Sequence, residues 1–215
     1  MIFLLDKSLG FPDPRLGEPD GLFAIGGDIS VERLLLAYSH GIFPWYPYKH
    51  SELPYWYCPL ERFVIFPKEI HISHSMRNLI NKNIYEVTFN KDFEGVIRNC
   101  SKAGERNKDE NAWLGEKLIL TFIKLHHLGY AESVEVWENK KLVGGLYGMY
   151  LNDVFIGESM FSFKPSASKL ALISLANEME KTGGKIIDCQ FETPHLKSMG
   201  GKFISYEEYM DFLKN

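Results

Sequence analysis

The chain has 215 residues, of which 45% are hydrophobic, 14% aromatic and 24% charged, a composition in the globular range and far from disordered, collagen-like or low-complexity chains. That length suits one large domain or a small domain leaning on a larger one, since single cores usually occupy about 100 to 200 residues. Lys and Arg total 24 against 28 Asp and Glu, a formal net charge of −4, which excludes the overall basic excess of many nucleic-acid binders but not a local basic patch.

In chain order, the opening MIFLLD has neither the basic start nor the apolar run of about 7 to 15 residues of a secretory signal. No apolar stretch approaches the roughly 18 residues that span a membrane, so no membrane partner is expected. The first 67 residues hold eight of the ten prolines, so regular elements there must be short. One helix stands out, Val31 to Tyr38, with Ser30 as N-cap and a stop near Gly41. An aromatic run follows through Trp45, Tyr55, Trp56 and Tyr57.

From about residue 68 helix and strand patterns alternate. The periodicity predicts a helix over Ser73 to Asn81, a strand over Tyr85 to Phe89, a helix over Phe93 to Cys100, a polar loop over Ser101 to Asn111, and a helix over Trp113 to Leu128 that Gly129 stops. Ser133 to Trp137 and Lys141 to Leu151 read as strands joined by a tight turn at Glu138 to Lys140, and Val154 to Glu158 as a third strand after Asn152 and Asp153. Ser166 is the expected cap of a long helix ending before Gly183, Lys185 to Gln190 the next strand, and Tyr206 to Leu213 the last helix. This order predicts an α+β fold: a mixed central sheet with helices packed on it, in a domain of residues 68–215 preceded by a small N-terminal domain of residues 1–67.

The three cysteines, Cys58, Cys100 and Cys189, are far apart and form no CxxC. That speaks against a disulfide framework or structural zinc and makes a reducing cytoplasm the default location. His71 with His74, and His126 with His127, lack a third ligand, so no metal is expected. There is no GxxxxGK[ST], GxGxxG, HExxH or GxSxG, which removes the usual support for nucleotide, zinc-protease and hydrolase readings.

Two places could carry chemistry. Period-two alternation puts Asp188 and Gln190 on one face of a strand. There a carboxylate can hold the amide NH2 while the amide oxygen accepts from an amine; alternatively the pair satisfies local backbone. Glu158 is an acid in an otherwise apolar segment, a setting that marks a perturbed site or a paired structural carboxylate. Gly144 and Gly145 interrupt a strand, as at a bulge or a close backbone approach, although packing alone also explains them.

Seven motifs then appear in order: Gly26-Gly-Asp28, Gly41-Ile-Phe-Pro-Trp45, Val134-Glu-Val-Trp137, Leu142-Val-Gly-Gly-Leu-Tyr-Gly148, Gly157-Glu-Ser-Met-Phe-Ser162, Ala167-Ser-Lys169 and Ile187-Asp-Cys-Gln190. Together they resemble the bacterial leucyl/phenylalanyl-tRNA-protein transferases, from about residue 11 to residue 210. The resemblance implies a cytoplasmic enzyme that moves Leu or Phe, and Met less well, from aminoacyl-tRNA to the N-terminal Arg or Lys of a protein, marking it for N-end rule degradation. It also implies a larger domain like that of the N-acetyltransferases (acyl-CoA N-acyltransferases); no cofactor is expected, and the chain is expected to act as a monomer.

Residue by residue, the resemblance implies that Asp188 orients Gln190, that Gln190 hydrogen-bonds the attacking amine, and that Glu158 is an electrostatic partner of the amine or the ribose. Leu146, Phe155, Met160 and Leu172 would line the amino-acid pocket, with Leu146 standing where relatives often carry Met. Trp45 and Trp113, joined by Tyr38, would stack on the terminal adenosine. Arg62, Lys68, Arg77 and Lys82 are the candidate phosphate contacts. The competing class is a CoA-dependent N-acyltransferase, which would bind pyrophosphate on a glycine-rich turn opening a helix. The corresponding turn, Met160 to Ser166, has no glycine.

Overall fold

The computed structural model describes residues 1–45, 53–106 and 115–214. Near the N-terminus the prolines keep strands to three to five residues. β1 (Phe3–Leu5) pairs parallel with β2 (Leu22–Gly26), and after α1 (Val31–Ser39) come β3 (Phe43–Trp45) and β4 (Tyr55–Tyr57), giving a four-stranded sheet in the order β1-β2-β4-β3. Such short strands cannot hold a sheet by ladder bonds alone, and buried side chains tie them together. Trp56 Nε1 donates to the Gly26 carbonyl at 2.8 Å. Arg33, fully buried on α1, donates to the carbonyls of Asp6 and Ser8 at 3.0 and 2.8 Å. Ser30 caps α1 as the sequence predicts, its Oγ accepting from the Arg33 N–H at 3.3 Å.

The remaining elements are β5 (Glu61–Ile65), a 3-10 turn at Pro67–Glu69, α2 (His74–Asn81), β6 (Glu86–Phe89), α3 (Phe93–Arg106), α4 (Glu116–His127), β7 (Ala131–Glu138), β8 (Lys141–Leu151), β9 (Val154–Ser162), α5 (Ala167–Thr182), β10 (Ile186–Asp188), α6 (Pro194–Ser198), β11 (Lys202–Ser205) and α7 (Tyr206–Lys214). Among the described residues, seven strands form one mixed sheet, β11-β5-β10-β9-β8-β7-β6, in which β9 and β10 are the one parallel pair. This is the α+β class expected. β5 precedes residue 67 yet lies between β10 and β11 inside the larger sheet, so that sheet begins before the expected domain division. One buried cluster joins Tyr38 and Trp56 of the N-terminal part to Phe122, Tyr147 and Ile156 of the rest. Among the described residues, no helix is long and apolar enough to cross a membrane.

Several local expectations change. The polar stretch Ser101 to Arg106 continues α3 as helix, because a helix already nucleated and packed extends over residues of modest propensity. Ser166 does not cap α5 with its side chain; it enters the helix in a left-handed conformation, φ 67°. β9 runs four residues past Glu158, to Ser162. The extension passes through a bulge: Tyr147 pairs with Ser159 and Gly148 with Gly157, leaving Glu158 unmatched. Gly148 permits this, since a Cβ there would run into the Ile156 carbonyl and the Phe155 ring. Gly144 serves close approach instead, lying against Ala167 at the start of α5.

Candidate active site

The bulge and the short β10 open a cleft between parallel neighbours. β10 pairs with β9 only as far as Asp188 opposite Ile156. Beyond that point Gln190 turns left-handed, φ 63°, and the Phe191 N–H closes a three-residue turn onto the Cys189 carbonyl at 2.7 Å. A non-glycine residue in this conformation is held there at a cost of about 1 to 3 kcal/mol and persists only where its surroundings over-determine it. Three contacts do so. Asp188 Oδ1 accepts the Gln190 N–H at 2.8 Å, the Cys189 N–H donates to the Phe63 carbonyl on β5 at 2.9 Å, and Gln190 Nε2 donates to Glu158 Oε1 at 3.2 Å.

The expectation that Asp188 and Gln190 share a strand face is therefore corrected, because the strand ends at Asp188 and the left-handed turn re-aims Gln190. Asp188 acts on the Gln190 backbone, and the carboxyl group whose oxygen takes the amide NH2 is Glu158. With its NH2 engaged, the amide offers its oxygen as acceptor.

Glu158 is buried and also accepts from the Tyr38 hydroxyl at 2.8 Å. Burial pushes its pKa up to about 8, and Asp188 adds to the rise; the hydrogen bonds from Tyr38 and Gln190 and the charge of Arg62 oppose it. The acid is consequently neutral at pH 7 in the free protein.

Glu158, Asp188 and Gln190 line the same cavity as Leu146, Phe155, Met160 and Leu172, together with Gly157 and Ile187. Its volume is about 130 Å3, close to the roughly 150 Å3 of an apolar cavity that holds one benzene. Leu146, Phe155 and Leu172 are buried in the hydrophobic layer under α5, whereas Met160 is half-buried at the wall.

The nucleoside and phosphate candidates separate. Trp45 is 37% exposed at the end of β3, with ring contacts to Tyr57 and Phe191, each at 5.4 Å between centroids. Trp113 lies outside the described residues. Tyr38 is a correction: it is 1% exposed, packed edge-on against Phe122 and committed to Glu158, so its ring cannot receive a base. Arg62 is a second correction. It is 1% exposed and forms an ion pair with Asp188, Nε to Oδ2 at 3.5 Å, so it cannot reach a surface phosphate. Lys68, Arg77 and Lys82 are exposed, on and beside α2.

Sequence reasoning missed Phe191 and Tyr209. Phe191 adjoins Gln190 and touches Phe43, Trp45 and Tyr57, linking the turn to the aromatic platform. Tyr209, buried on α7, donates to Asp188 Oδ2 at 2.7 Å. A polar-tipped aromatic on the apolar face of the last helix was the available signal, and nothing local named its partner.

An apolar chamber for one side chain, with an amide oxygen at its rim, suits an acyl group seated in the chamber while an amine approaches that oxygen; the class is that of the α+β acyltransferases. Sequence comparisons are specific. The family model described as leucyl/phenylalanyl-tRNA protein transferase matches residues 64–214, and the model of that family's N-terminal domain matches residues 27–60. The chain is 47% identical to the leucyl/phenylalanyl-tRNA–protein transferase of Syntrophobacter fumaroxidans over 212 residues, covering 99% of this chain and 89% of that one. It is 48% identical to that of Flavobacterium psychrophilum over 210 residues, 98% of each. This chain belongs to the leucyl/phenylalanyl-tRNA protein transferase family and is an aminoacyltransferase. Among solved structures it is similar to the PaiA N-acetyltransferase of Thermoplasma acidophilum, determined with coenzyme A, at 13% identity and a TM-score of 0.37 over 46% of this chain and 75% of that one.

Proposed function

We propose that the enzyme transfers Leu or Phe, and Met less well, from aminoacyl-tRNA to the α-amine of a protein beginning with Arg or Lys, with the amino-acid side chain in the Leu146, Phe155, Met160 and Leu172 chamber. The observation that carries this reading is the single cavity in which those apolar walls meet Glu158, Asp188 and Gln190. The terminal adenosine stacks on exposed Trp45, and Lys68, Arg77 and Lys82 meet phosphates further along the acceptor end. We assign residues before β5 to a small N-terminal domain and the seven-stranded sheet to the catalytic one, the chain acting as a monomer in the cytoplasm.

The aminoacyl ester is already activated, so the step needs an amine placed correctly more than it needs driving force. Orientation of this kind can supply about 7 to 11 kcal/mol of the barrier. The amine nitrogen bonds to the ester carbonyl carbon, the bond from that carbon to the ribose oxygen breaks, and the proton lost by nitrogen ends on the departing ribose hydroxyl. Gln190 accepts a hydrogen bond from the amine and holds its lone pair toward the carbonyl. An N-terminal α-ammonium has a pKa of about 7.7 to 8.0, and burial raises that of Glu158 to about 8, so the ionised fraction of Glu158, about a tenth at pH 7, takes a proton from the ammonium at little cost and leaves the amine neutral before attack.

Shape has to reject β-branched side chains, because an apolar slot separates neighbours by only about 1 to 3 kcal/mol per methylene. The test is incubation of the pure protein with radiolabelled Leu-tRNA and a peptide beginning with Arg. Label in the peptide is expected; label retained on tRNA while acetyl-CoA acylates the peptide would overturn the reading.

A further inference from the structure

Asp188 is fully buried and held from both sides. Its Oδ1 takes the Gln190 N–H. Its Oδ2 takes the Tyr209 hydroxyl at 2.7 Å and lies 3.5 Å from Arg62 Nε. Tyr209 comes from α7 near the end of the chain and Arg62 from β5, yet the Arg62 guanidinium lies 4.5 Å from the Tyr209 ring centroid and 5.1 Å from that of Phe43. Arg62 Nη2 donates to the Gly41 carbonyl, at the head of the segment that leads to Trp45. Among the described residues, neither Arg62 nor Tyr209 lines the cavity.

The torsion at the end of an Asp side chain is broad and roughly two-fold. A carboxylate bonded through one oxygen alone can therefore swing, and the Gln190 turn would lose the acceptor that keeps it left-handed. Contacts to the second oxygen remove that freedom. They are charge-assisted and buried, so water cannot replace them. Burial works against the charge on Arg62; Asp188 and then Tyr209 more than restore it, so its pKa is raised.

We propose that Arg62 and Tyr209 are positioning residues for transfer, a clamp that fixes the Asp188 carboxylate and, through it, the turn that aims Gln190. This rests on the reading of Gln190 as the group that orients the amine. The clamp also connects the turn to the Gly41 carbonyl, so that one buried cation references both the amine-orienting group and the strand carrying the adenosine platform.

Tyr209→Phe keeps the ring over Arg62 and removes only the hydroxyl. Single-turnover and steady-state transfer from Leu-tRNA to an Arg-peptide should show kcat falling about tenfold, as for loss of a hydrogen bond to a charged group, with KM for aminoacyl-tRNA unchanged within about twofold. In an Asp188→Ala background the same substitution should change kcat by less than about twofold, because the group it acts through is gone. Arg62→Lys should lower kcat in the same direction. The proposal is overturned if Tyr209→Phe has wild-type kcat, or if its deficit is as large in the Asp188→Ala background. Loss of transfer in Gln190→Ala with no loss in Tyr209→Phe removes the clamp alone, whereas wild-type transfer in Gln190→Ala removes the site reading as well.

Discussion

Glu158→Gln separates what the site costs from what it does. The glutamine keeps an oxygen to accept from Tyr38 and Gln190 but cannot titrate. In the unfolded chain the Glu158 carboxyl has its ordinary pKa of 4.5, and in the folded protein burial raises it to about 8. Between those values the folded protein holds a proton that the unfolded chain has released. The wild type therefore loses stability as pH rises through this window, at up to about 1.4 kcal/mol per pH unit. The contribution is fully present below about pH 4.5 and gone above about pH 8. Integrated from about pH 5 to about pH 7, the penalty that the variant escapes grows by about 2.5 kcal/mol. For a chain of this size that is a Tm difference widening by about 5 to 10 °C. Urea unfolding and thermal melts of both proteins at half-unit pH steps would measure it, and the variant, though more stable at neutral pH, should transfer Leu poorly. Stability differences that stay constant with pH would mean that Glu158 has no raised pKa in the folded state and no match to the incoming amine.

Three further outcomes follow from the same geometry. Tyr38→Phe removes a hydrogen bond that lowers the Glu158 pKa, so the acid limb of kcat/KM against pH should move to higher pH; a limb that does not move would exclude Glu158 as the proton acceptor. Trp45→Ala should raise KM for aminoacyl-tRNA by the roughly 1 to 3 kcal/mol of one stacked base while changing kcat much less, measured by steady-state kinetics at constant salt. Replacing Lys68, Arg77 and Lys82 together by Ala should flatten the dependence of log K on log salt for tRNA binding by up to about 2, on the single-strand slope of about 0.7 per phosphate, as read by filter binding from low to moderate salt.

The sequence was most legible where signals are local. α1 and α4 carry a helical apolar period, and α1 and α5 each show an end, Ser30 at one start and Gly183 at one finish. The β7-β8-β9 meander announces itself through turns whose residues take positive φ: Asn139 at 50°, Lys140 at 63° and Asn152 at 52°. Strands of three residues such as β1, β3 and β4 are too short to show a period, and Pro44 and Pro54 obscure the last two. β5 and β11 are defined by non-local partners that no local window contains.

The candidate site divides along the same line. That Asp188, Gln190 and Glu158 are site candidates is visible from their being polar residues in apolar strands. Their division of labour is not, because it depends on an unmatched residue in a bulge and on one left-handed turn, both of which break the period-two rule used to read them. Arg62 is misplaced for a related reason: a charged side chain reads as surface until its buried partner, Asp188, is known; Tyr38 is assigned to the adenosine by resemblance, and its hydroxyl is taken by Glu158.

In the proposed mechanism Gln190 orients the amine against the ester. This role is tested most directly by the single-turnover rate of Leu transfer from pre-bound Leu-tRNA to a saturating Arg-peptide in Gln190→Ala, with far-UV circular dichroism confirming the fold. A rate reduced at least about a hundredfold is expected, within the 7 to 11 kcal/mol that orientation can provide, with tRNA affinity retained. A rate equal to that of the wild type would contradict it.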